Sequence, residues 1–283
     1  MTLRLLSFLG EAAREHYQAV GSVVAERVGW SAEPLAEPGM HGLESELAAG
    51  GPALVFLCGM PYVRARAAGV PIEALAAPVG VGLERPEYAA MLVVRPGLAA
   101  RDAADLAGCR LGVNGRDSYS GWILPRAKLA ERGLRDAVFA DVVETGSHRE
   151  TLRLLVTGEV DAGPVDSSVL ALESRAWAAV AALHVVDRLG PAPSPPVALL
   201  GGETGLETAL REALVGLAGD AEGREALDLG LVARFAAVED GSYGPIRETP
   251  GVLTASGTDC SLSPTRTDCV GDRLKSVPNR FFY

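Results

Sequence analysis

Short apolar runs alternate with amphipathic stretches along most of this chain. Residues 3–9, "LRLLSFL", are typical of a strand, and the apolar positions of "EAAREHYQAVGSVVAERVG" recur every three or four residues, as in a helix. "ALVFLCG" is a continuous apolar run, typical of a strand buried on both faces of a parallel sheet. Further strand and helix patterns follow from "YAAMLVVRPG" to "AEGREALDLGL". The alternation predicts an α/β fold with mainly parallel sheets flanked by helices.

Size and charge limit the classes of partner. A chain of 283 residues, 48% of them hydrophobic, is long enough for two lobes with sizeable cores. The formal net charge of −10 argues against nucleic acid or an anionic membrane surface as a partner, although it allows a local anion pocket. No apolar run approaches the roughly 20 residues of a membrane span. The first residues have one basic side chain and no small-residue cleavage site, so they indicate a strand rather than an export signal.

The cysteines suggest packing more than chemistry. Cys58 and Cys109 lie in apolar runs, which predicts core positions. Cys260 and Cys269 bracket the polar loop "CSLSPTRTDC" and are either a disulfide in an oxidising compartment or two free thiols. No CxxC pair and no neighbouring histidine indicate a metal site, and no motif indicates a cofactor. Residues 251–283 show no periodicity and are predicted to be an irregular tail.

Several polar residues stand where predicted helices begin. Ser118, Tyr119, Ser120 and Gly121 lie at one such start, where free amides and hydroxyls either cap the helix or bind an anion. Spacing alone favours capping, since capping serines are common.

A second group of candidates lies further along the chain. His148 opens another helix, and Asp166 follows an apolar strand, where α/β proteins place ligand contacts. A solvated or capping role is the ordinary alternative for both. Tyr62 and Tyr88 flank strand ends and either hydrogen-bond a ligand or pack at a lobe edge.

The sequence offers no motif for catalysis. It contains no GxSxG elbow, HExxH, P-loop or GxGxxG after a strand. No spacing of acids and histidines singles out a general acid and base, so we assign no catalytic residue.

Three segments in order resemble a known family. They are "YAAMLVVRPGLAARDAADLAGCRLGVNGRDSYSGWILPRAKLAERG", "TGSHRETLRLLVTGEVDAGPVDSSVL" and "FAAVEDGSYGPIRE". Together they are similar to the phosphonate/phosphite-type solute-binding proteins of ABC importers, a branch of the type II periplasmic-binding-protein superfamily. The resemblance covers most of the chain. It implies two α/β lobes joined by crossing strands, one formed by residues 1–92 and 198–250 and the other by residues 93–197, with the ligand in the cleft between them.

The resemblance also implies a set of ligand contacts. Ser118, Tyr119, Ser120 and Gly121 match the loop that holds the phosphonate oxygens in that family. The other matches are His148 and Asp166, and less closely Tyr62 and Tyr88. Tyr119 is a departure, because the family has a threonine there and the bulkier tyrosine would narrow or reshape the anion site.

We therefore expect a non-enzymatic protein that closes on a small phosphonate, phosphite or related oxyanion and serves an ABC permease. The alternative is a cytoplasmic enzyme or ligand sensor on the same fold, acting on a small anionic metabolite, with His148 as acid or base and Asp166 orienting it. The first function places the protein in the periplasm or at the cell surface as a mature chain. A chain complete as given would be cytoplasmic. The sequence leaves the ligand's identity and the oligomeric state open.

Overall fold

The strands and helices alternate much as the sequence predicts. A computed structural model describes residues 1–38, 43–135 and 138–250, with the backbone alone for Glu11, Glu44, Leu47 and Ala48. The predicted tail, with Cys260 and Cys269, lies outside the described residues. The strands are β1 Thr2–Ser7, β2 Ser31–Ala32, β3 Ala53–Phe56, β4 Ile72–Gly80, β5 Glu87–Val94, β6 Arg110–Val113, β7 Asp141–Glu144, β8 Ala162–Asp166, β9 His184–Pro193, β10 Val197–Leu200 and β11 Val232–Ala237.

Helices connect most of these strands. They are α1 Arg14–Arg27, α2 Leu43–Ala48, α3 Gly59–Ala67, α4 Leu124–Glu131, α5 His148–Thr157, α6 Ser167–Ala176, α7 Ala178–Ala181, α8 Thr204–Val215, α9 Ala221–Leu229 and α10 Gly244–Glu248. A π-helical turn, Tyr119–Ile123, runs directly into α4, and a 3₁₀ turn, Asp240–Tyr243, precedes α10. None of the helices in the described ranges is both long and apolar enough to cross a membrane.

The strands form two sheets. The first has the order β11-β4-β10-β3-β1-β2, and the second has the order β7-β6-β8-β5-β9. This arrangement confirms the two-lobed α/β fold, and in each sheet most strands run in one direction while a few run against them. β10 and β11 pair antiparallel in the first sheet, and β5 pairs antiparallel with both neighbours in the second. An apolar run records the burial of a strand and not its direction, so the sequence pattern misses this feature.

The chain passes between the sheets twice. It leaves the first sheet after β4 and returns to it at β10, so the crossing segments are residues 81–86 and 194–196. The predicted limit at residue 92 falls inside β5, all of which belongs to the second sheet. The two crossing segments contact each other where the Ser194 amide donates to the Pro86 carbonyl at 2.9 Å. The division into lobes as independent units stays a prediction.

Three groups of buried side chains hold the layers together. One packs α1, α8 and α9 on the first sheet, and a second packs α5 and α7 on the second sheet. The third group contains residues of both sheets, including Val55 of β3 and Leu111 of β6. Because an apolar cluster of this kind resists exposure to water, the two sheets are held together in this form of the protein.

Candidate functional site

Three predicted site segments meet at one edge of the second sheet. The strands β7, β6 and β8 are neighbours and run parallel, so their carboxyl ends lie on the same side. The loop to Ser118 follows β6, His148 follows β7, and Asp166 is the last residue of β8. This is the edge at which α/β sheets bind ligands.

The turn after β6 forms the first part of the site. Ser118 is the N-cap of the π-helical turn, and its Oγ accepts a hydrogen bond from the Gly121 amide at 3.1 Å. The capping prediction is therefore correct for this serine. Among the described residues, the amides of Tyr119 and Ser120 have no acceptor, since they stand at the start of the turn, and they are therefore suited to bind an anion.

Gly121 is required by the geometry of that turn. A Cβ atom built on it would collide with Oδ1 of Asn114, which follows β6. The Asn114 oxygen is buried and has no hydrogen-bond partner among the described residues. The strand end and the turn thus pack too closely for any side chain at position 121.

Ser120 and His148 are in direct contact. The Ser120 Oγ lies 2.9 Å from Nε2 of His148, although the two residues are 28 positions apart. His148 opens α5, which Ser147 caps by accepting from the Glu150 amide. Burial lowers the pKa of His148 to about 4, although the Pro164 carbonyl has an opposing effect. The residue as a whole is partly exposed, yet Nδ1 is inaccessible to water and has no partner with hydrogen-bond geometry in the described ranges. The ring is therefore neutral at physiological pH.

Asp166 is a buried carboxylate next to this pair of segments. It is 8% exposed, and its Oδ1 accepts from the Ser168 amide at 2.8 Å, which caps α6. Burial raises its pKa to about 6. No basic side chain in the described part of the chain forms an ion pair with it. Asp166 thus has both the predicted capping role and a carboxylate that lacks a cationic partner.

Two residues next to the first sheet lie near enough to Asp166 for its charge to affect their pKa values. Cys58 is the N-cap residue of α3, and burial together with the charges of Asp166 and Asp117 raises its pKa to about 12. Tyr17 of α1 is stacked on Phe56, and its pKa is raised mainly by burial, with smaller effects of Cys58 and Asp166. Sequence reasoning missed Tyr17 and assigned Cys58 to the core. For Cys58, its position directly after a buried strand was the available signal.

The aromatic candidates have different surroundings. Tyr88 is 6% exposed at the start of β5; its burial and the nearby Asp166 raise its pKa, and the Ser120 hydroxyl opposes that rise. Tyr88 therefore lies close to Asp166 and Ser120. Tyr62 is fully buried, and its hydroxyl donates to Oδ1 of Asp240 at 3.0 Å. No contact brings Tyr62 to Ser120 or His148 in the described residues, and its role as a ligand contact stays a prediction.

The Tyr119 hydroxyl contacts a residue far along the chain. Its Oη lies 3.0 Å from Oγ1 of Thr249, which follows α10. Within the described ranges, no group of three or more histidine, cysteine, aspartate or glutamate side chains is placed to hold a metal ion.

Comparison with known families identifies the chain. Residues 6–243 match the family described as "ABC transporter, phosphonate, periplasmic substrate-binding protein". The chain belongs to this phosphonate-binding family. A search of curated proteins gives no significant match.

Solved structures similar to this phosphonate-binding family member have the same fold at low sequence identity. PhnD1 from Prochlorococcus marinus, in complex with methylphosphonate, has a TM-score of 0.75 and 17% identity over 89% of this chain and 98% of that one. A binding-protein component of an ABC phosphonate transporter from Pseudomonas aeruginosa has a TM-score of 0.73 and 15% identity over 87% and 84%. A chloride-bound Xanthomonas citri protein has a TM-score of 0.68 and 19% identity over 90% and 98%.

Membership settles the general role that the sequence resemblance predicted. Proteins of the phosphonate-binding family are the periplasmic substrate-binding components of ABC transporters, which implies a small ligand and a permease partner. The enzyme and sensor alternatives are not favoured. The comparisons name phosphonate and not phosphite.

Proposed function

We propose that this protein binds a small phosphonate between its two sheets, with the phosphorus oxygens on the turn 118–121 and beside His148. The observation that carries this proposal is the contact between Ser120 and His148. The turn 118–121, which runs into α4, and the start of α5 were identified separately from the sequence, and they meet at this contact.

The chemistry of the turn suits an oxyanion. Free amides and the positive end of a helix stabilise negative charge, and hydroxyls add donors. His148, with a pKa of about 4, is neutral at pH 7, so it offers a phosphonate oxygen one N–H donor rather than a fixed positive charge. The ligand would exchange the hydrogen bond between Ser120 and His148 for bonds to its own oxygens.

Asp166 provides the basis for a finer proposal about the ligand. An ionised, buried carboxylate opposes a bare dianion and attracts a cationic group. The favoured ligand is therefore zwitterionic, an aminophosphonate whose ammonium group lies against Asp166. The hydroxyls of Tyr88 and Tyr17 and the thiol of Cys58 would surround the same end of the ligand.

The location and partner follow from the family role. We propose that the protein acts outside the cytoplasmic membrane, in the periplasm or at the cell surface, and presents its bound phosphonate to an ABC permease. Closure of the two lobes on the ligand would be the signal that the permease recognises.

A calorimetric titration tests the ligand class. The purified protein is titrated with methylphosphonate, aminoethylphosphonate, phosphate, phosphite, sulfate and acetate, and ligand-dependent thermal shifts are measured in parallel. We expect the phosphonates to bind, and aminoethylphosphonate to bind more tightly than phosphate. Binding of phosphate in preference to aminoethylphosphonate would contradict the role given to Asp166.

Two substitutions locate the site. Ser120→Ala and His148→Ala should each weaken phosphonate binding by ten-fold or more, since each removes a donor that the oxyanion uses. The matched controls are Ser22→Ala and His184→Ala, because both wild-type side chains are exposed and lie on other elements. Failure of the wild-type protein to bind any phosphonate would refute the proposed function.

A further inference from the structure

Tyr119 donates its hydroxyl proton to another residue of the protein. The Thr249 hydroxyl donates to the Pro245 carbonyl at 2.8 Å, as a threonine often does to the carbonyl four residues earlier. A hydroxyl has one proton, so Tyr119 must be the donor in its 3.0 Å contact with Thr249. The side chain in the middle of the anion-binding turn therefore offers no hydroxyl proton to an oxyanion.

Thr249 belongs to a segment that is fixed to the first sheet and to the crossing segments. We call residues 240–249 the C-terminal strap. Its Tyr243 donates to the Ser194 carbonyl at 3.2 Å, and its Ile246 packs so closely on Gly59 that a Cβ there would collide with it. Asp240 accepts from Tyr62 at 3.0 Å and from Arg247 at 2.6 Å. The strap is thus held by α3 and by residues 194–196.

The bond between Tyr119 and Thr249 therefore connects the turn 118–121 with the strap, which packs against α3. Tyr119 lies on a turn of the second sheet, whereas α3, against which the strap packs, begins next to Cys58 at the edge of the first sheet. The Tyr119 side chain is 5% exposed, and it extends from the turn 118–121 to Thr249 of the strap. A shorter side chain would leave the space between the turn and the strap open.

Resting on the proposed phosphonate function, we propose that Tyr119 is a specificity-determining residue. Its ring excludes phosphonates with bulky substituents, and its hydroxyl stabilises the closed form through Thr249 rather than by contacting the ligand. The two effects belong to different parts of one side chain, so substitutions can separate them.

Four variants separate the ring from the hydroxyl. Tyr119→Thr removes the ring, and Tyr119→Phe removes only the hydroxyl. Thr249→Val removes the partner of that hydroxyl together with the bond to Pro245, and the fourth variant combines Tyr119→Phe with Thr249→Val. The control is Thr208→Val, because Thr208 makes the same type of bond to the carbonyl four residues earlier, at 3.1 Å, on the exposed face of α8. Affinities for methylphosphonate and for the bulkier phenylphosphonate are measured by calorimetry, and folding is checked by thermal unfolding.

The expected results differ between the ring and the hydroxyl. Tyr119→Thr should raise the affinity for phenylphosphonate relative to methylphosphonate by about ten-fold, the change expected when one buried steric conflict is relieved. Tyr119→Phe and Thr249→Val should each weaken both ligands by a similar factor of about three to ten. The double variant should be no weaker than either single variant, because both remove the same hydrogen bond.

Three outcomes would overturn the inference. An unchanged affinity ratio in Tyr119→Thr would show that the ring does not limit ligand size. A loss in Tyr119→Phe without a loss in Thr249→Val would show that the hydroxyl contacts the ligand directly. If the wild-type protein bound neither phosphonate, the proposed function would fail first and the inference with it. The first two outcomes, in a wild type that binds, would refute the inference alone.

Discussion

Asp166 shows how one buried carboxylate links stability to ligand choice. Burial raises its pKa from 3.8 to about 6, so the folded protein holds this proton more tightly than the unfolded chain. The free energy of unfolding that Asp166 contributes is therefore highest below about pH 4 and falls as the pH rises to about 6. At neutral pH the carboxylate is ionised and destabilises the empty site, and a cationic group on a ligand would offset that cost.

This argument predicts the behaviour of Asp166→Asn. The amide keeps an oxygen for the Ser168 amide and removes the charge, so the variant should be more stable than the wild type at pH 8, by up to about 3 kcal/mol at roughly 1.4 kcal/mol per pKa unit. The difference should disappear near pH 4. Chemical denaturation at several pH values measures this difference in stability. The titration of His148 does not affect the difference, because both proteins contain that residue.

Asp228→Asn is the matched control, because Asp228 is an exposed aspartate on α9. It should change stability by less than about 0.5 kcal/mol at either pH. A stability gain in Asp166→Asn that is the same at pH 4 and pH 8 would mean that ionisation is not its cause.

At the scale of elements, the turn before α4 depends on close contact with the end of β6. Gly121→Ala should destabilise the protein by about 1–3 kcal/mol and reduce phosphonate binding, because its methyl group would displace Asn114 or shift the turn. Stability is measured by urea denaturation and binding by calorimetry. Removing the obstacle in the double variant Asn114→Ala with Gly121→Ala should recover part of the lost stability.

Gly205→Ala is the control for the change from glycine to alanine. Gly205 lies in α8 with open space around its Cβ position, so alanine should stabilise the helix by about 0.5–1 kcal/mol. If Gly121→Ala were equally stabilising, the contact with Asn114 would not constrain the turn.

The elements also show where sequence reasoning succeeds. Ser118, His148 and Asp166 follow three separate strands, and the rule that ligands bind at the carboxyl ends of parallel strands brings them together. Tyr119 and Thr249 are 130 positions apart, and no local pattern could reveal their contact. Cys58 looked like a core residue because its neighbours are apolar. The antiparallel pairing of β5 was missed because periodicity reports burial and not direction.

At the scale of the whole molecule, Ser194 links the two crossing segments to the C-terminal strap. The Ser194 amide donates to Pro86 in one crossing, and the Ser194 carbonyl accepts from the buried Tyr243 of the strap. A single residue between β9 and β10 thus connects the other crossing segment with the strap. Any relative movement of the two sheets must pass through these two segments, so Tyr243 restrains the part of the chain that would bend.

Tyr243→Phe tests this restraint. The substitution leaves the Ser194 carbonyl without its donor in a buried place, which should lower the free energy of unfolding by about 1–3 kcal/mol. It should also speed amide hydrogen exchange in residues 81–85 and at Ser194, the residues of the crossing segments that have an amide hydrogen, more than elsewhere. Tyr62→Phe is the matched control, because Asp240 keeps its bond to Arg247 when the Tyr62 hydroxyl is lost. Faster exchange of the crossing segments in Tyr62→Phe as well would mean that the strap restrains them through all its contacts. An effect confined to Tyr243→Phe would assign the restraint to the bond with Ser194.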